Sequence, residues 1–183
     1  PDVNAPFRGW KITLFEGGIR VPMFIKWPQA IAQGTVIDTP IAHIDLLPTL
    51  AAAAGAELPS DRVIDGRNIL VEATGQGSIE RPDNAIFWQS GDYRVVRAGD
   101  WKLQVDGNQG RSWLFDLAND PTEQRDLSGA LPGKVDELQA LLDHHHENAV
   151  GPLYPNQLIS PILVDKTIDR APAAGDEYIL WPN

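Results

Sequence analysis

Between residues 86 and 117 the chain carries four short apolar runs, at 86–88, 93–97, 101–105 and 113–117, and the turns between them are short. The second and third runs are joined by Ala98-Gly99-Asp100. A connection that short, with a glycine in it, predicts a hairpin. Strands spaced this closely leave no room for crossover helices, so the segment predicts an antiparallel sheet. A turn at Asn119-Asp120-Pro121 follows. Val135, Leu138, Leu141 and Leu142 then recur at spacings of three and four, which predicts an amphipathic helix from Pro132 to about Asn148. Pro132 suits its first turn, where the missing N–H has no intrahelical partner to lose.

The chain upstream has another character. Residues 1–19 are rich in Gly and Pro, without clean periodicity, and predict a shaped loop around Gly17-Gly18. The run 21–27, stopped by Pro28, predicts a strand buried on both faces. Further on, Asp45 is placed to N-cap a helix whose first turn holds Pro48 and whose natural stop is Gly55. That helix is apolar nearly all round, with Leu46, Leu47, Leu50 and a run of alanines, so deep burial is expected. A strand followed by a helix is an α/β unit. Residues 59–82 turn polar and read as a linker. The tail 151–183 holds five prolines and little periodicity, and is expected to wrap a surface rather than build a core.

Composition removes several classes of function. The 183 residues carry 15 Lys plus Arg against 25 Asp plus Glu, a formal charge of −10, which opposes a general affinity for nucleic acid. No apolar run approaches the ~18 residues of a membrane helix. Without Cys there is no disulfide framework, thiolate metal site or thiol nucleophile within these residues. The chain starts at Pro1 with no leader-like segment and reads as a processed or excised piece. Its compartment stays open, with the periplasm or the exterior preferred.

Generic catalytic signatures are missing. There is no nucleophile elbow and no phosphate loop, and Gly75-Gln76-Gly77 lacks both the third glycine and the preceding strand of a dinucleotide site. His144-His145-His146 cannot converge on one ion, because consecutive helical residues point about 100° apart; a helix C-terminus suits them on charge grounds alone. Lys11 has two readings. Most lysines are solvated surface groups. Yet Lys11 lies between Trp10 and Ile12 in a glycine-rich loop, where an ammonium held in a cleft can stabilise charge developing on an oxyanion.

The string Asn4-Ala5-Pro6-Phe7-Arg8-Gly9-Trp10-Lys11-Ile12-Thr13-Leu14-Phe15-Glu16-Gly17-Gly18-Ile19-Arg20-Val21-Pro22 resembles a stretch carried by the sulfatases, of the form N-x-P-x-R-G-x-K-x-[ST]-x-x-E-G-G-x-R-V-P. The resemblance continues through Trp27-Pro28, the segment from Ile44 to Leu50, Ala54-Gly55 and Asp65-Gly66. It runs on through Arg97-Ala98-Gly99-Asp100-Trp101-Lys102-Leu103 and the stretch from Leu114 to Glu123, so that it covers about residues 4 to 140. It implies an α/β fold: the last part of an alkaline-phosphatase-like α/β domain (1–75), then a small antiparallel four-stranded sheet with a C-terminal helix (76–150), then a Pro-rich wrapping tail (151–183). The tail resembles that of certain bacterial arylsulfatase-like members.

The resemblance also implies roles. The matched lysine, Lys11, contacts the sulfate group, stabilises charge on the sulfonyl oxygens and helps hold a formylglycine nucleophile. Arg8 and His43 are the further candidates for substrate binding, although a hydrogen-bonded structural histidine fits His43 as well. Glu16, Gly17, Gly18 and Arg20 are expected to shape and brace the loop. The [CS]-x-P-x-R signature from which formylglycine arises is absent, as are the paired acidic residues that bind the divalent cation, usually calcium. Formylglycine and calcium are therefore expected in the full-length enzyme, with no metal ligand in this chain, and the chain alone is expected to be inactive. The expected partners are a sulfate ester, aryl or carbohydrate, and either a second copy or the N-terminal part, with no nucleic acid and no membrane. The competing readings are a phosphonate or phosphate monoester hydrolase of the same superfamily and a non-catalytic module that binds sulfated glycans.

Overall fold

A computed structural model describes residues 4–154 and 156–182. Residues 1–3, 155 and 183 lie outside the described residues, and with them the first positions of the expected N-terminal loop and two of the tail. In chain order the elements are α1 (Glu16–Ile19), α2 (Leu46–Ala54), α3 (Leu70–Ala73), β1 (Ala85–Ser90), β2 (Tyr93–Ala98), β3 (Trp101–Asp106), β4 (Arg111–Asp116), α4 (Pro132–Glu147), β5 (Ile159–Leu163) and β6 (Tyr178–Pro182). Among the described residues no helix is long and apolar enough to cross a membrane. The chain divides into two compact units, one formed by the residues up to Val21 with those from Ala85 onward, the other by Pro22–Asn84.

The first unit is built on the sheet β1-β2-β3-β4, every pair antiparallel. The two tight reversals are two-residue loops, Gly91-Asp92 between Ser90 and Tyr93 and Gly99-Asp100 between Ala98 and Trp101. Each puts its glycine first, at φ 55° and 59°, where a Cβ would be strained. One face of the sheet packs Val96, Leu103 and Leu114 against Leu138 and Leu142 of α4. Burying each of these side chains contributes about 1.5–3 kcal/mol. Three- and four-residue spacing brings one stripe of α4 onto the sheet, and Pro132 opens the helix as expected.

The opposite face is covered too. Tyr93, Val95, Trp113 and Phe115 pack there against Leu14 and Phe15 of the N-terminal loop and Val164 and Ile179 of the tail. Phe15 sits at the centre, its ring 6.1 Å from Trp113 and 5.9 Å from Phe115. The tail is therefore part of a core rather than a wrapping alone. Its strands β5 and β6 form an antiparallel hairpin, and Pro161 and Pro182 sit within it. A two-stranded sheet is all edge, and an edge accommodates the missing N–H of proline.

The second unit is held by Asp45. Its carboxylate is fully buried and accepts the N–H of Ala42 at 2.8 Å and of Arg67 at 2.7 Å, and it is clasped by both terminal nitrogens of Arg81. It does not cap α2 as expected. A 3₁₀ turn at His43–Asp45 precedes that helix, and the side chain reaches backward and across instead. Burial alone would raise the Asp45 pKa, but the Arg81 guanidinium and the two backbone donors hold it below the usual carboxylate range. Thr49 continues the brace, donating to the Asp45 carbonyl at 2.6 Å and accepting from the Ile69 N–H at 3.0 Å. The stretch 59–82 is accordingly no linker, since Arg67, Ile69, α3 and Arg81 are what hold this unit together. Gly55 ends α2 at φ 65°, as expected.

Two burial expectations fail together. The run 21–27 has no strand partner among the described residues and lies open, with Phe24 90% and Val21 79% exposed. Leu47 and Leu50 of α2 are 56% and 63% exposed. Nothing in the second unit covers these side chains, so an apolar pattern that predicts burial produces an apolar surface.

Candidate active site

Lys11 sits at the tip of the turn Trp10-Lys11-Ile12-Thr13. The Thr13 N–H donates to the Trp10 carbonyl at 3.0 Å, and Ile12 has φ 92°, the pattern of a type II turn. That position normally takes Gly or Asn. A β-branched residue there costs about 1–3 kcal/mol and needs its surroundings to hold it. They do so twice over. The Thr13 hydroxyl donates to the Trp10 carbonyl at 2.9 Å and accepts the Trp10 N–H at 3.1 Å. The Trp10 indole N–H donates to the Leu163 carbonyl of β5 at 2.8 Å. Lys11 is exposed, and among the described residues its ammonium has no hydrogen-bond or ion-pair partner.

The base of the loop is closed by the Gly17 N–H, which donates to the Arg8 carbonyl at 2.7 Å. Here the glycine pair is steric. A Cβ on Gly17 would lie 2.5 Å from the Arg8 and Gly9 carbonyl oxygens, and one on Gly18 would lie 2.0 Å from the Thr13 oxygen. The shaping role expected of Gly17 and Gly18 is thus visible as backbone approaching backbone.

Arg8 is turned away from solvent. Its Nε and Nη2 donate to Asp165 at 3.0 and 2.7 Å, Nη2 also meets Glu177 at 2.5 Å, and Nη1 donates to the Glu123 carbonyl at 3.1 Å. Burial alone would lower its pKa, but the two carboxylates raise it further, so it stays a fixed cation. Glu177 also accepts the Trp113 indole N–H at 2.7 Å and pairs with Arg111. Burial opposes ionisation of Glu177, and the bonds from Arg8 and Trp113 outweigh it, so its pKa lies below the ordinary value. Arg8, Asp165, Lys166, Asp176 and Glu177 line a polar cleft of about 240 Å³. Arg8 and Lys11 thus share one loop. His43 belongs to the other unit, exposed at the first position of the 3₁₀ turn.

Beneath the loop lies a buried ionic cluster. Lys102 of β3 reaches Glu16 at 2.9 Å and Glu123 at 2.8 Å, with all three side chains at most 4% exposed. The second Glu123 oxygen accepts the Glu16 N–H at 2.5 Å, and Gln104 donates to the first at 3.2 Å. Gln104 in turn accepts from the Tyr93 hydroxyl. Burial pushes the Glu123 pKa up, with Lys102 opposing. Arg20 and Arg97 stand at the rim, 3.9 and 4.0 Å from Glu16. So Glu16 and Arg20 do brace the loop.

Sequence reasoning missed Lys102 and Glu123 in this role, along with Asp165 and Glu177. The alternation Trp101-Lys102-Leu103-Gln104 suggests one dry and one wet face. The available signal is Trp113 and Phe115 flanking Leu114, which demands apolar cover on both faces of the sheet. Among the described residues no group of three or more His, Asp or Glu could hold a metal ion. The residues present therefore do not fit the calcium that the resemblance implies, and with no [CS]-x-P-x-R signature they do not supply the formylglycine.

Three comparisons bear on this site. Residues 9–149 match the model of the family described as N-sulphoglucosamine sulphohydrolase, C-terminal. Steryl-sulfatase of Rattus norvegicus is 49% identical over 67 residues, 37% of this chain and 12% of that protein. A sulfatase of Formosa agariphila is 40% identical over 100 residues, 53% of this chain and 18% of that protein. The chain spans about a tenth to a fifth of the length of these relatives. Among solved structures, Ps i-CgsB superposes with a TM-score of 0.66 at 29% identity, covering 80% of this chain and 33% of that one. The same protein in complex with k-i-k-neocarrahexaose gives a TM-score of 0.60 at 30% identity, covering 74% and 31%.

Proposed function

The chain belongs to the sulfatases, through their N-sulphoglucosamine sulphohydrolase C-terminal family, and from that premise we propose that it supplies Lys11 to the sulfate group of a sulfate ester. The observation that carries this reading is the contrast within the loop. The neighbouring cations Arg8 and Arg20 are paired with carboxylates, whereas Lys11 is held at the tip of a rigid turn with no hydrogen-bond or ion-pair partner among the described residues.

Hydrolysis of a sulfate ester breaks a bond between sulfur and the ester oxygen, and negative charge grows on the leaving oxygen. An ammonium already aimed at those oxygens stabilises the transition state without reorganising at the moment of reaction. The two hydrogen bonds of the Thr13 hydroxyl to Trp10 and the indole anchor restrict the turn and so reduce the entropy lost when the ammonium engages substrate. Pairing Arg8 with Asp165 and Glu177 keeps it from competing for the anion. The nucleophile and the metal of the complete hydrolase are assigned to chain outside these 183 residues. On this reading the exposed apolar run 21–27 and the face of α2 contact that other part. The substrate is a sulfate ester, aryl or carbohydrate. The complex of Ps i-CgsB with k-i-k-neocarrahexaose supports a carbohydrate.

The test is Lys11→Ala in the complete enzyme, assayed in parallel on an aryl sulfate and an aryl phosphate. Loss of one such electrostatic contact predicts a fall in kcat of about 10²–10³-fold on the sulfate, with Lys11→Arg recovering part of it. Unchanged turnover would remove Lys11 from the site. A better phosphate than sulfate substrate would favour the phosphomonoester reading. Tight binding of sulfated oligosaccharides by the isolated chain, with no turnover in any complete form, would favour the binding module.

A further inference from the structure

We propose that the C-terminal hairpin β5–β6 is the brace that sets the Lys11 turn, with Trp10, Asp165 and Glu177 as positioning residues. The proposal rests on the sulfatase reading only for what Lys11 does; the brace itself stands on contacts. The hairpin lies beyond the segment that matches the family, 9–149.

The connection between β5 and β6 begins at Val164 and ends at Glu177, whose carbonyl accepts the Val164 N–H at 2.9 Å. Arg8 reaches both ends of that connection at once, holding Asp165 on one side and Glu177 on the other. Lys166 closes the next rung onto Asp176 at 2.6 Å. One residue before the connection, the Leu163 carbonyl receives the Trp10 indole. Residues 8 and 10 are therefore fixed to the hairpin on either side of Gly9, and Lys11 is the next residue along. Beneath them, Val164 and Ile179 pack in the same apolar cluster as Leu14 and Phe15. A loop with a β-branched residue at φ 92° carries strain that the bonds between Thr13 and Trp10 oppose only within the turn itself. The hairpin provides a tertiary support.

The cluster of Lys102, Glu16 and Glu123 acts from the other side, at the base of the loop. It has no bond to residues 10–13, whereas the hairpin bonds directly to Trp10. The two supports meet at Arg8, which also donates to the Glu123 carbonyl, so Trp10→Phe, which leaves Arg8 untouched, separates them. Changes in the hairpin should free the tip and leave the base and the sheet closed.

The experiment is amide hydrogen exchange on the 183-residue chain, comparing Trp10→Phe and Asp165→Asn with the parent. Trp10→Phe keeps an aromatic ring and removes the donor. Asp165 is half exposed, so its substitution leaves the core intact. The expected result is exchange about tenfold faster at Thr13, with Val95, Leu103 and Leu114 unchanged. Unchanged exchange at Thr13 in both variants would overturn the proposal. So would equal acceleration at Thr13 and across the sheet, because the hairpin would then be a general stabiliser.

A second arm uses turnover by the complete enzyme. Asp165→Asn should lower kcat by about tenfold with little change in KM, as displacement of a catalytic group does. In a Lys11→Ala background the same change should have no further effect, because both act through one ammonium. Additive losses would overturn the positioning role. If Lys11→Ala leaves turnover intact while the exchange result holds, the sulfatase role of Lys11 fails and the brace stands.

Discussion

Lys102 Nζ lies 2.8 Å from Glu123 Oε1, and neither side chain has any exposed surface. The pair joins the start of β3 to the turn after β4, and through Glu16 it reaches the base of the lysine loop. Taking one partner from such a pair leaves an uncompensated buried charge. Lys102→Met is therefore expected to destabilise the sheet unit by about 3–5 kcal/mol. Arg62→Ala, which removes one partner of the exposed pair with Asp61, is expected to leave stability unchanged. Urea unfolding of the two variants checks the contrast, and equal midpoints would contradict it.

The two units should respond to pH in opposite senses through their buried carboxylates. Glu123 has its pKa raised above 4.5 by burial, so the folded chain holds that proton longer than the unfolded one. Its contribution to stability is present below pH 4.5 and is lost as pH rises through the folded value. Asp45 has its pKa lowered from 3.8, so its contribution is present above that value and is lost as pH falls through the folded one. Glu123→Gln should therefore remove the part of the stability loss on raising pH above 4.5 that Glu123 causes. Asp45→Asn should reduce the loss of stability on acidification below pH 3.8, at the cost of a weaker second unit throughout. Denaturant midpoints against pH for parent and variants test both signs.

Glycine substitutions should separate position from composition. At Gly18 a Cβ meets the Thr13 carbonyl oxygen at 2.0 Å, and that oxygen belongs to backbone that cannot swing away like a side chain. At Gly133, in the first turn of α4, a Cβ meets nothing within 4 Å. Gly133→Ala is expected to stabilise the chain by about 0.4–1 kcal/mol, whereas Gly18→Ala should destabilise it by more than that. Thermal unfolding of each variant decides the matter, and a stable Gly18→Ala would mean that the loop does not close as described.

The open apolar surface should make the isolated chain associate. Phe24 at 90% exposure, with Val21, Leu47 and Leu50 also open, presents side chains that gain from leaving water. Sedimentation velocity should show a mass that rises with concentration, and Phe24→Asp with Leu50→Glu should suppress the rise. A monomer at every concentration would contradict this.

The sheet and α4 are legible in the sequence because each satisfies its own local rule. Two-residue loops with glycine fix the reversals, and the three-and-four spacing of Leu138, Leu141 and Leu142 fixes a helix face. The hairpin β5–β6 is not legible. Its prolines mimic an irregular tail, and its strands are justified only by Val164 and Ile179 fitting against Phe15 and Trp113, residues far away along the chain. The run 21–27 fails for the converse reason: it has the composition of an inner strand and no neighbour to pair with among the described residues. The glycine-shaped loop around Lys11 is legible from its motif, but its fixity is not. That depends on Leu163, Asp165 and Glu177, whose register with residues 8–10 no local pattern encodes.

The link between Arg8 and the pair Asp165 and Glu177 also sets an order of events during synthesis. Arg8 leaves the ribosome 157 residues before Asp165, and the segment around Lys11 adopts its final shape only after that partner and Glu177 have followed. A polypeptide halted shortly after α4 would already own its meander and its long helix, yet would carry the lysine on a slack tether. Synthesis of the hairpin β5–β6 thereby becomes a checkpoint on the competence of the loop.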